Sequence, residues 1–281
     1  MFSMTSTPTP SSPSALHSVL FVSHGSPMFA LEHGSTAPAL RAWASGLPTP
    51  PRGIVIMSPH WMAPGATVMA TAQPSTWHDF GGFPDALFKL QYPAPGHPAL
   101  AQQVAALLQA QGIATALDDQ RPLDHGAWVP LMHLFPAADI PVVQLALPTD
   151  YTPRSLWAMG RALRSLREQG ILIVGSGSMT HNLRELFSSG PPPLSAPSAP
   201  YANAFARWVE QAIAQGDPEA LFNYRQQAPH AQQAHPTDEH FVPLYFALGA
   251  ASWGTADAPA VQYLSREVMY RYLAMDALVL G

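Results

Sequence analysis

Short apolar runs alternate with longer segments of helical periodicity along most of the chain. The apolar runs, rich in Val, Ile and Leu, predict strands at Val19–Val22, Ile54–Met57, Thr67–Thr71, Ile113–Leu117, Val142–Leu147 and Ile171–Val174. Apolar residues at helical spacing predict helices at Pro98–Gln111, Trp128–Phe135, Arg154–Gln169, Tyr201–Gln215, Pro218–Gln226 and Glu239–Ala250. Because strands alternate with helices, the pattern predicts an α/β fold with a central, largely parallel sheet flanked by helices.

The pattern favours a single domain. A chain of 281 residues is long enough for one or two domains of about 150 residues each. The Pro- and Ser-rich segment Ser188–Pro200 interrupts the alternation, and we interpret it as a loop inside that domain. Residues 1–17 lack the basic and apolar regions of a signal peptide, so we predict a disordered tail followed by a domain of residues 18–281, in a cytoplasmic protein.

The small number of charged residues argues against some classes of binding partner. The formal net charge is −5 and Lys89 is the only lysine, so electrostatic binding to nucleic acid or to an anionic membrane surface is not expected. No run approaches the ~18 apolar residues of a membrane span. Arg161, Arg164 and Arg167 recur at helical spacing and predict a solvated helix face.

The chain contains no cysteine and twelve histidines. The absence of cysteine excludes disulfide frameworks, thiolate nucleophiles, iron–sulfur clusters and cysteine-type zinc sites. Any metal must therefore be held by His, Asp or Glu side chains.

Histidines follow three of the predicted strands. VLFV leads to His24, IVIM leads to His60, and ILIV leads through GSGSMT to His181. Ligands of open parallel sheets bind beyond the carboxyl ends of the strands, so these imidazoles can converge. A single loop histidine is more often a surface or capping residue, but the joint pattern predicts a shared metal or catalytic site.

Further histidines lie near predicted helix starts. LDHGAW places His125 in a loop before the helix at Trp128–Phe135, and HPTDEH places His235 and His240 around the start of the last helix. We interpret His235 as a turn residue and His133 as a core or groove residue. The sequence has no Walker A loop, no H-E-x-x-H and no G-x-S-x-G elbow, which leaves Ser176 a weak nucleophile candidate.

Eight motifs occur in order along the chain: HGSPM (24–28), SPHW (58–61), HDFGGFP (78–84), YPAPG (92–96), LDHGAW (123–128), IPVVQL (140–145), THNLR (180–184) and DEHFVPLYFALGA (238–250). These motifs resemble the 4,5-DOPA extradiol dioxygenase family of class III, LigB-like extradiol ring-cleavage dioxygenases. The resemblance covers the chain from Val19 to Gly281.

The resemblance implies a LigB-like catalytic domain that opens the ring of a catecholic substrate with O2, using one divalent metal. Fe(II) is expected for activity, and Zn(II) is an alternative occupant. His24, His60 and His240 match the metal ligands, and His181 matches the catalytic base, which in some relatives is a fourth ligand. His125 matches a second acid/base or substrate-orienting group. In the broader class the third ligand is a carboxylate, giving a two-His-one-carboxylate triad, whereas here it is His240.

Two other functions use the same residues: a zinc hydrolase, and a Memo-like binding protein without catalysis. The HDFGGFP segment and the neighbourhoods of Trp61, Trp77 and Trp128 are expected to line a pocket. DOPA-like compounds, protocatechuate, gallates and aminophenols all remain alternatives, although the scarcity of basic residues argues against large polyanionic substrates. The oligomeric state is open.

Overall fold

The computed structural model describes residues 17–188, 190–256, 258 and 260–281. The tail predicted for residues 1–17 therefore lies outside the described residues, apart from His17. His17 is buried, and its backbone N–H donates to the carbonyl of Arg167 at 3.3 Å. Among the described helices, none combines the length and apolar character needed to cross a membrane.

The apolar runs form the centre of an eight-stranded sheet. The strands of the described chain are β1 (Val19–Ser23), β2 (Gly53–Ala63), β3 (Ala66–Met69), β4 (Thr115–Asp118), β5 (Val142–Pro148), β6 (Ile171–Gly177), β7 (Val261–Ser265), β8 (Val268–Met269), β9 (Leu273–Ala274) and β10 (Ala277–Leu280). The sheet order is β4-β3-β5-β2-β6-β1-β10-β7, and β8 pairs separately with β9. The four strands from β5 to β1 are mutually parallel.

Antiparallel pairs occur only towards the edges of this sheet among the described strands: β3 against β5, β10 against β1, and β7 against β10. The expectation of a largely parallel central sheet in an α/β fold is therefore confirmed. Each of the six strands predicted from the sequence has a counterpart, displaced by two residues or fewer at its start.

Helices cover both faces of the sheet. They are α1 (Thr36–Ser45), α2 (Asp85–Phe88), α3 (Pro98–Gln109), α4 (His125–Leu134), α5 (Pro153–Leu163), α6 (Leu183–Phe187), α7 (Pro200–Gln215), α8 (Pro218–Phe222), α9 (Tyr224–Gln227), α10 (Ala231–Ala234) and α11 (Pro243–Ala250), with 3₁₀ turns at Pro27–Ala30 and Arg164–Gln169. Alternate side chains of a strand enter opposite layers. Val19 and Phe21 belong to the core layer that also contains buried residues of α3, α5, α7 and α11, whereas Leu20 and Val22 belong to the layer with those of α1 and α4.

The structure corrects several helix predictions. The segment predicted as one helix at Pro218–Gln226 is divided into α8 and α9. The segment predicted as one helix at Arg154–Gln169 is α-helical only to Leu163 and continues as a 3₁₀ turn. Arg167 in that turn is 5% exposed rather than solvated, because its guanidinium donates to the backbone carbonyls of His17 and Gly281 at 2.7 and 2.9 Å. The helix predicted to start at Glu239 begins at Pro243.

Candidate metal centre

The sheet brings three histidines together at the carboxyl ends of adjacent strands. β2, β6 and β1 are neighbours and run parallel. His24 follows β1 directly, and His181 follows β6 after a short loop. His60 lies within β2, inside the irregular stretch between Ser58 and Met62 where the pairing with β5 shifts register. The fourth histidine, His240, lies in the turn before α11.

The ring nitrogens of three of these histidines are in contact. Nε2 of His60 lies 3.1 Å from Nε2 of His24 and 3.2 Å from Nε2 of His240. Their ring centroids are 4.9 to 5.4 Å apart in all three pairs. Histidines separated by up to 216 positions thus share one small volume.

Hydrogen bonds at the opposite nitrogen determine the tautomer of each ring. The Ser176 hydroxyl donates to the carbonyl of Gly126 at 2.5 Å, so it accepts from Nδ1–H of His24 at 2.9 Å. Nδ1 of His240 donates to the carboxylate of Glu239 at 2.9 Å, since a carboxylate only accepts. Nε2 of both rings therefore carries a lone pair. Ser176 is fully buried and orients His24, which removes it as a nucleophile candidate.

The surroundings of the third ring, that of His60, favour the same tautomer. Nδ1 of His60 faces the carboxylate of Asp79 at 3.8 Å, and this negative charge favours a proton on Nδ1. Burial, as the largest cause, lowers the pKa of His24, His60 and His240 well below the usual value for imidazole. The three rings are therefore neutral near pH 7, the form in which an imidazole nitrogen can bind a metal.

This donor set fits a metal ion. Neutral imidazole is the metal-binding form of histidine, and oriented second nitrogens are the usual surroundings of metal-bound imidazoles. Two nitrogens bound to one ion at about 2.1 Å stand about 3.0 to 3.4 Å apart for angles between right and tetrahedral. The observed 3.1 and 3.2 Å satisfy that requirement.

His125 is a second candidate for the third ligand. Possible ligand atoms of His24, His60 and His125 all lie within 4.8 Å of one another, as do those of His181, Glu239 and His240. Nε2 of His240 lies 3.2 Å from Nε2 of His60, so His240 is a candidate for the same position.

The structure corrects the local position of His125, which is the first residue of α4 rather than part of a preceding loop. Its Nδ1 and its backbone N–H both donate to Oδ1 of Asp79, at 3.0 and 2.9 Å. Nε2 of His125 is therefore the free, accepting nitrogen, and the ring centroid lies 3.9 Å from that of His60.

His181 stacks on the candidate ligand His240. The ring centroids are 3.5 Å apart and the planes differ by 10°. Burial, followed by the charge of His125, lowers the pKa of His181 to about 4. The ring is thus neutral near pH 7 and can accept a proton.

A cavity of about 300 Å³ adjoins these rings. Its lining residues are Gly25, Ser26, Pro27, His60, Phe80, Gly81, Gly82, Phe83, His125, His181, Leu183, Phe187 and His240. The central residues of the HDFGGFP segment, Phe80 to Phe83, line the cavity as predicted, but Trp61, Trp77 and Trp128 do not. Trp61 and Trp77 instead contact the Arg121 guanidinium, whose Cζ lies 4.7 and 4.8 Å from their ring centroids, and Trp128 is buried.

Two other histidines have structural surroundings. His235, predicted as a turn residue, directly follows α10 and is fully buried, and its Nε2–H donates to the carbonyl of Met179 at 2.9 Å, two positions before His181. His133 is a core residue, as predicted, and its Nε2–H donates to the carbonyl of Phe29 at 3.0 Å.

Comparisons with known proteins show which family and which relatives this chain is similar to. A family model described as the catalytic LigB subunit of aromatic ring-opening dioxygenase matches residues 18–272. A 4,5-DOPA dioxygenase extradiol of Beta vulgaris is 41% identical over 234 residues, 82% of this chain and 85% of the relative. The protein of the same name from Escherichia coli K12 is 41% identical over 237 residues, 82% of this chain and 84% of its own. The crystal structure of an uncharacterized protein from Escherichia coli K12 has a TM-score of 0.72 at 30% identity, covering 94% of this chain and 99% of that one.

Proposed function

Since this chain belongs to the LigB family of aromatic ring-opening dioxygenases, we propose that it is a metal-dependent extradiol dioxygenase that opens the ring of a catecholic substrate with O2. The observation that supports this proposal is the convergence of the Nε2 atoms of His24, His60 and His240, with contacts of 3.1 and 3.2 Å. They meet beside a cavity that His125 and His181 also line. We assign this activity to one catalytic domain, residues 18–281.

We propose His24, His60 and His240 as the metal ligands. A divalent ion held there would supply the Lewis acidity that makes the protons of a diol easier to remove. Fe(II) is the ion expected for ring opening, while an all-imidazole donor set also suits zinc.

We propose His181 as the base that takes a proton from the diol. It lines the cavity, is neutral near pH 7, and has its ring plane fixed by stacking on His240. The backbone N–H of His181 also donates to the carbonyl of Ala234 at 2.8 Å, which holds the residue close to the candidate ligands. A positioned imidazole typically contributes a rate factor of about 10² to 10⁴.

We propose His125 as the second proton-transfer and substrate-orienting group. Its free Nε2 can accept a hydrogen bond or a proton, and the Asp79 carboxylate on Nδ1 stabilises the imidazolium that results. His125 can later return that proton to the opened product. Asp79 does not line the cavity and acts through the imidazole.

The test separates metal binding from proton transfer. We expect His24→Ala to lose bound metal. His181→Ala should retain much of the metal after anaerobic Fe(II) loading but lower the turnover number at least about a hundredfold. Metal content and oxygen uptake with a panel of substituted catechols measure the two effects. His33→Ala is the matched control, because His33 is an exposed histidine that does not line the cavity.

The outcomes also separate the alternative functions. Normal metal content and turnover in His24→Ala would contradict the ligand assignment. Ester or amide hydrolysis without oxygen uptake would support a zinc hydrolase. A metal-loaded wild-type protein that acts on no catechol would support a Memo-like binding role.

A further inference from the structure

A fully buried carboxylate lies next to the candidate site and takes no part in the proposed chemistry. Asp124 is 0% exposed and does not line the cavity. Removing a carboxylate from water is costly unless hydrogen bonds and an opposite charge compensate for it. The groups that compensate for the burial of Asp124 therefore indicate what this residue does in the fold.

Four hydrogen-bond donors surround the Asp124 carboxylate. Oδ1 accepts from the hydroxyl of Ser58 on β2 at 2.8 Å and from the backbone N–H of Ala127 in α4 at 3.2 Å. Oδ2 accepts from Nη2 of Arg121 at 3.1 Å and from the side-chain amide of Gln144 on β5. Burial raises the pKa of Asp124, while the four donors and the positive charge of Arg121 favour the ionised form. One carboxylate thus joins β2, β5, α4 and the segment before α4.

Two of these donors also hold the backbone of His60. The backbone N–H of His60 donates to the Ser58 hydroxyl at 3.3 Å, and Nη2 of Arg121 donates to the His60 carbonyl at 3.3 Å. His60 lies in the irregular stretch of β2, where the regular pairing with β5 is interrupted. Asp124 therefore fixes this stretch through Ser58 on one side of His60 and through Arg121 on the other.

The same carboxylate fixes the start of α4. Asp124 is the N-cap of α4, and His125 is the first residue of that helix. A Cβ atom at Gly126 would lie 2.2 Å from the Ser58 hydroxyl oxygen and 2.8 Å from Cδ2 of His60. Glycine at this position therefore allows α4 to begin directly against β2, and the rings of His60 and His125 lie with their centroids 3.9 Å apart.

From these contacts, and resting on the proposed ring-opening function, we propose that Asp124 is a positioning residue that fixes the backbone of His60 relative to that of His125. It sets the separation between a metal ligand and a proton-transfer group without touching the substrate. The Asp79 carboxylate faces the rings of the same two histidines. One carboxylate thus acts on the rings of this pair, and the other acts on their backbones.

The test uses Co(II) as a metal probe, because its visible absorption depends on the number and arrangement of its ligands. Asp124→Ala removes all four contacts and should change the spectrum of the Co(II)-loaded protein. Metal affinity, titrated with a metal–chelator buffer, should fall at least about tenfold. At saturating Fe(II), kcat for a cleaved catechol should also fall at least about tenfold, and by more than KM rises. Circular dichroism checks that the variant is folded.

The conservative variant Asp124→Asn separates the hydrogen bonds from the charge. Its amide oxygen can still accept from Ser58 and Ala127. Its NH₂ group can donate to Oε1 of Gln144, which has no partner among the described residues, once the Gln144 amide rotates. Because only the Arg121 contact is lost, metal affinity and kcat should stay within about fivefold of wild type.

Asp217→Ala is the matched control. Asp217 is also an N-cap, since it accepts from the backbone N–H groups of Glu219 and Ala220 at the start of α8, at 3.0 and 3.3 Å. It is exposed and does not line the cavity, so its removal should leave the Co(II) spectrum, metal affinity and kcat unchanged. If Asp124→Ala does not fold, Ser58→Ala replaces it, because this variant removes the hydroxyl between Asp124 and the His60 N–H and should also change the Co(II) spectrum.

Several results would overturn this inference. A wild-type Co(II) spectrum and a wild-type kcat in folded Asp124→Ala would do so, as would a wild-type spectrum in Ser58→Ala if that variant has to replace it. Equal losses in Asp124→Ala and Asp124→Asn would assign the effect to the charge, which also contradicts it. If the Co(II) spectra respond as expected but no catechol is cleaved, the ring-opening proposal fails while the link from Asp124 to His60 stands. A wild-type protein that binds no Co(II) would overturn both.

Discussion

At the scale of single residues, the hydrogen-bond partner of each imidazole decides which ring nitrogen is free. Asp79 illustrates this because one carboxylate serves two rings: Oδ1 accepts from His125, and Oδ2 faces Nδ1 of His60 at 3.8 Å. Ser176 and Glu239 do the same for His24 and His240. The Ser176 hydroxyl and the carboxylates of Asp79 and Glu239 thus orient the rings so that Nε2 of each faces the candidate site.

The buried carboxyl group of Asp276 is expected to make the stability of the folded protein depend on pH. Burial raises the pKa of Asp276 to about 7, with Glu210 adding to the rise and Arg266 opposing it. The folded protein therefore keeps a proton that an unfolded Asp releases near pH 3.9. Stability from this group is present below about pH 4, falls as the pH rises towards 7 and is constant above that.

Asp276→Asn should remove this pH dependence. The free energy of unfolding of the variant, relative to wild type, should rise by about 2 to 3 kcal/mol between pH 5 and pH 8. Urea unfolding at the two pH values measures the change. Asp150→Asn is the control, because Asp150 is exposed. The same difference between Asp276→Asn and wild type at both pH values would refute the prediction.

At the scale of secondary-structure elements, the close approach of two segments places His240. Gly177 ends β6, and a Cβ atom at this position would lie 2.2 Å from the backbone oxygen of His240. At Gly175 a Cβ atom would lie 2.2 Å from the backbone oxygen of Pro243, the first residue of α11. The two glycines therefore allow the turn before α11 to pack directly on the strand.

Gly177→Ala should displace that turn. We expect the free energy of unfolding to fall by about 1 to 3 kcal/mol from overpacking, and metal affinity to fall at least about tenfold because His240 moves. Thermal unfolding and titration with a metal–chelator buffer measure the two effects. Gly46→Ala is the matched control, since its nearest contacts would be 3.5 Å away. Unchanged metal affinity in Gly177→Ala would count against His240 as a ligand.

The success of sequence-based prediction also differs between elements. β1, β2 and β6 are buried on both faces, so they appear as continuous apolar runs, and the histidines after them could be predicted. β7 is largely half-exposed, and β8 and β9 have two residues each. Their sequences therefore show no clear alternation of apolar and polar residues. α1 was missed because its sequence, TAPALRAWAS, contains few large apolar residues.

At the scale of the whole molecule, the site depends on contacts between distant parts of the chain that no local pattern encodes. The fold class follows from the alternation of strands and helices, and the candidate ligands follow from motif resemblance. The orienting role of Asp79 and the placement of Phe187 beside the cavity depend on tertiary packing. The prediction that Arg167 is solvated failed for the same reason. Its hydrogen-bond partners lie at both ends of the described chain, where no local pattern could indicate them.

Arg167 joins three separated parts of the fold. Its guanidinium donates to the carbonyl of His17 before β1, to that of Ala250 at the end of α11, and to that of Gly281 after β10. Arg167→Ala would remove these three hydrogen bonds, two of them to buried residues, and create a cavity. We expect the free energy of unfolding to fall by about 2 to 4 kcal/mol. Arg167→Lys, which keeps the charge without the planar fork, should lose less.

Denaturant unfolding of the full chain measures this loss. Arg164→Ala is the matched control, because it removes an exposed arginine three positions earlier and should change stability by less than about 0.5 kcal/mol. The metal content of Arg167→Ala should remain normal under native conditions, since Arg167 does not line the cavity. If Arg167→Ala is as stable as Arg164→Ala, the three carbonyl contacts do not hold the chain ends to the sheet. A loss of metal without a loss of stability would instead link Arg167 to the site itself.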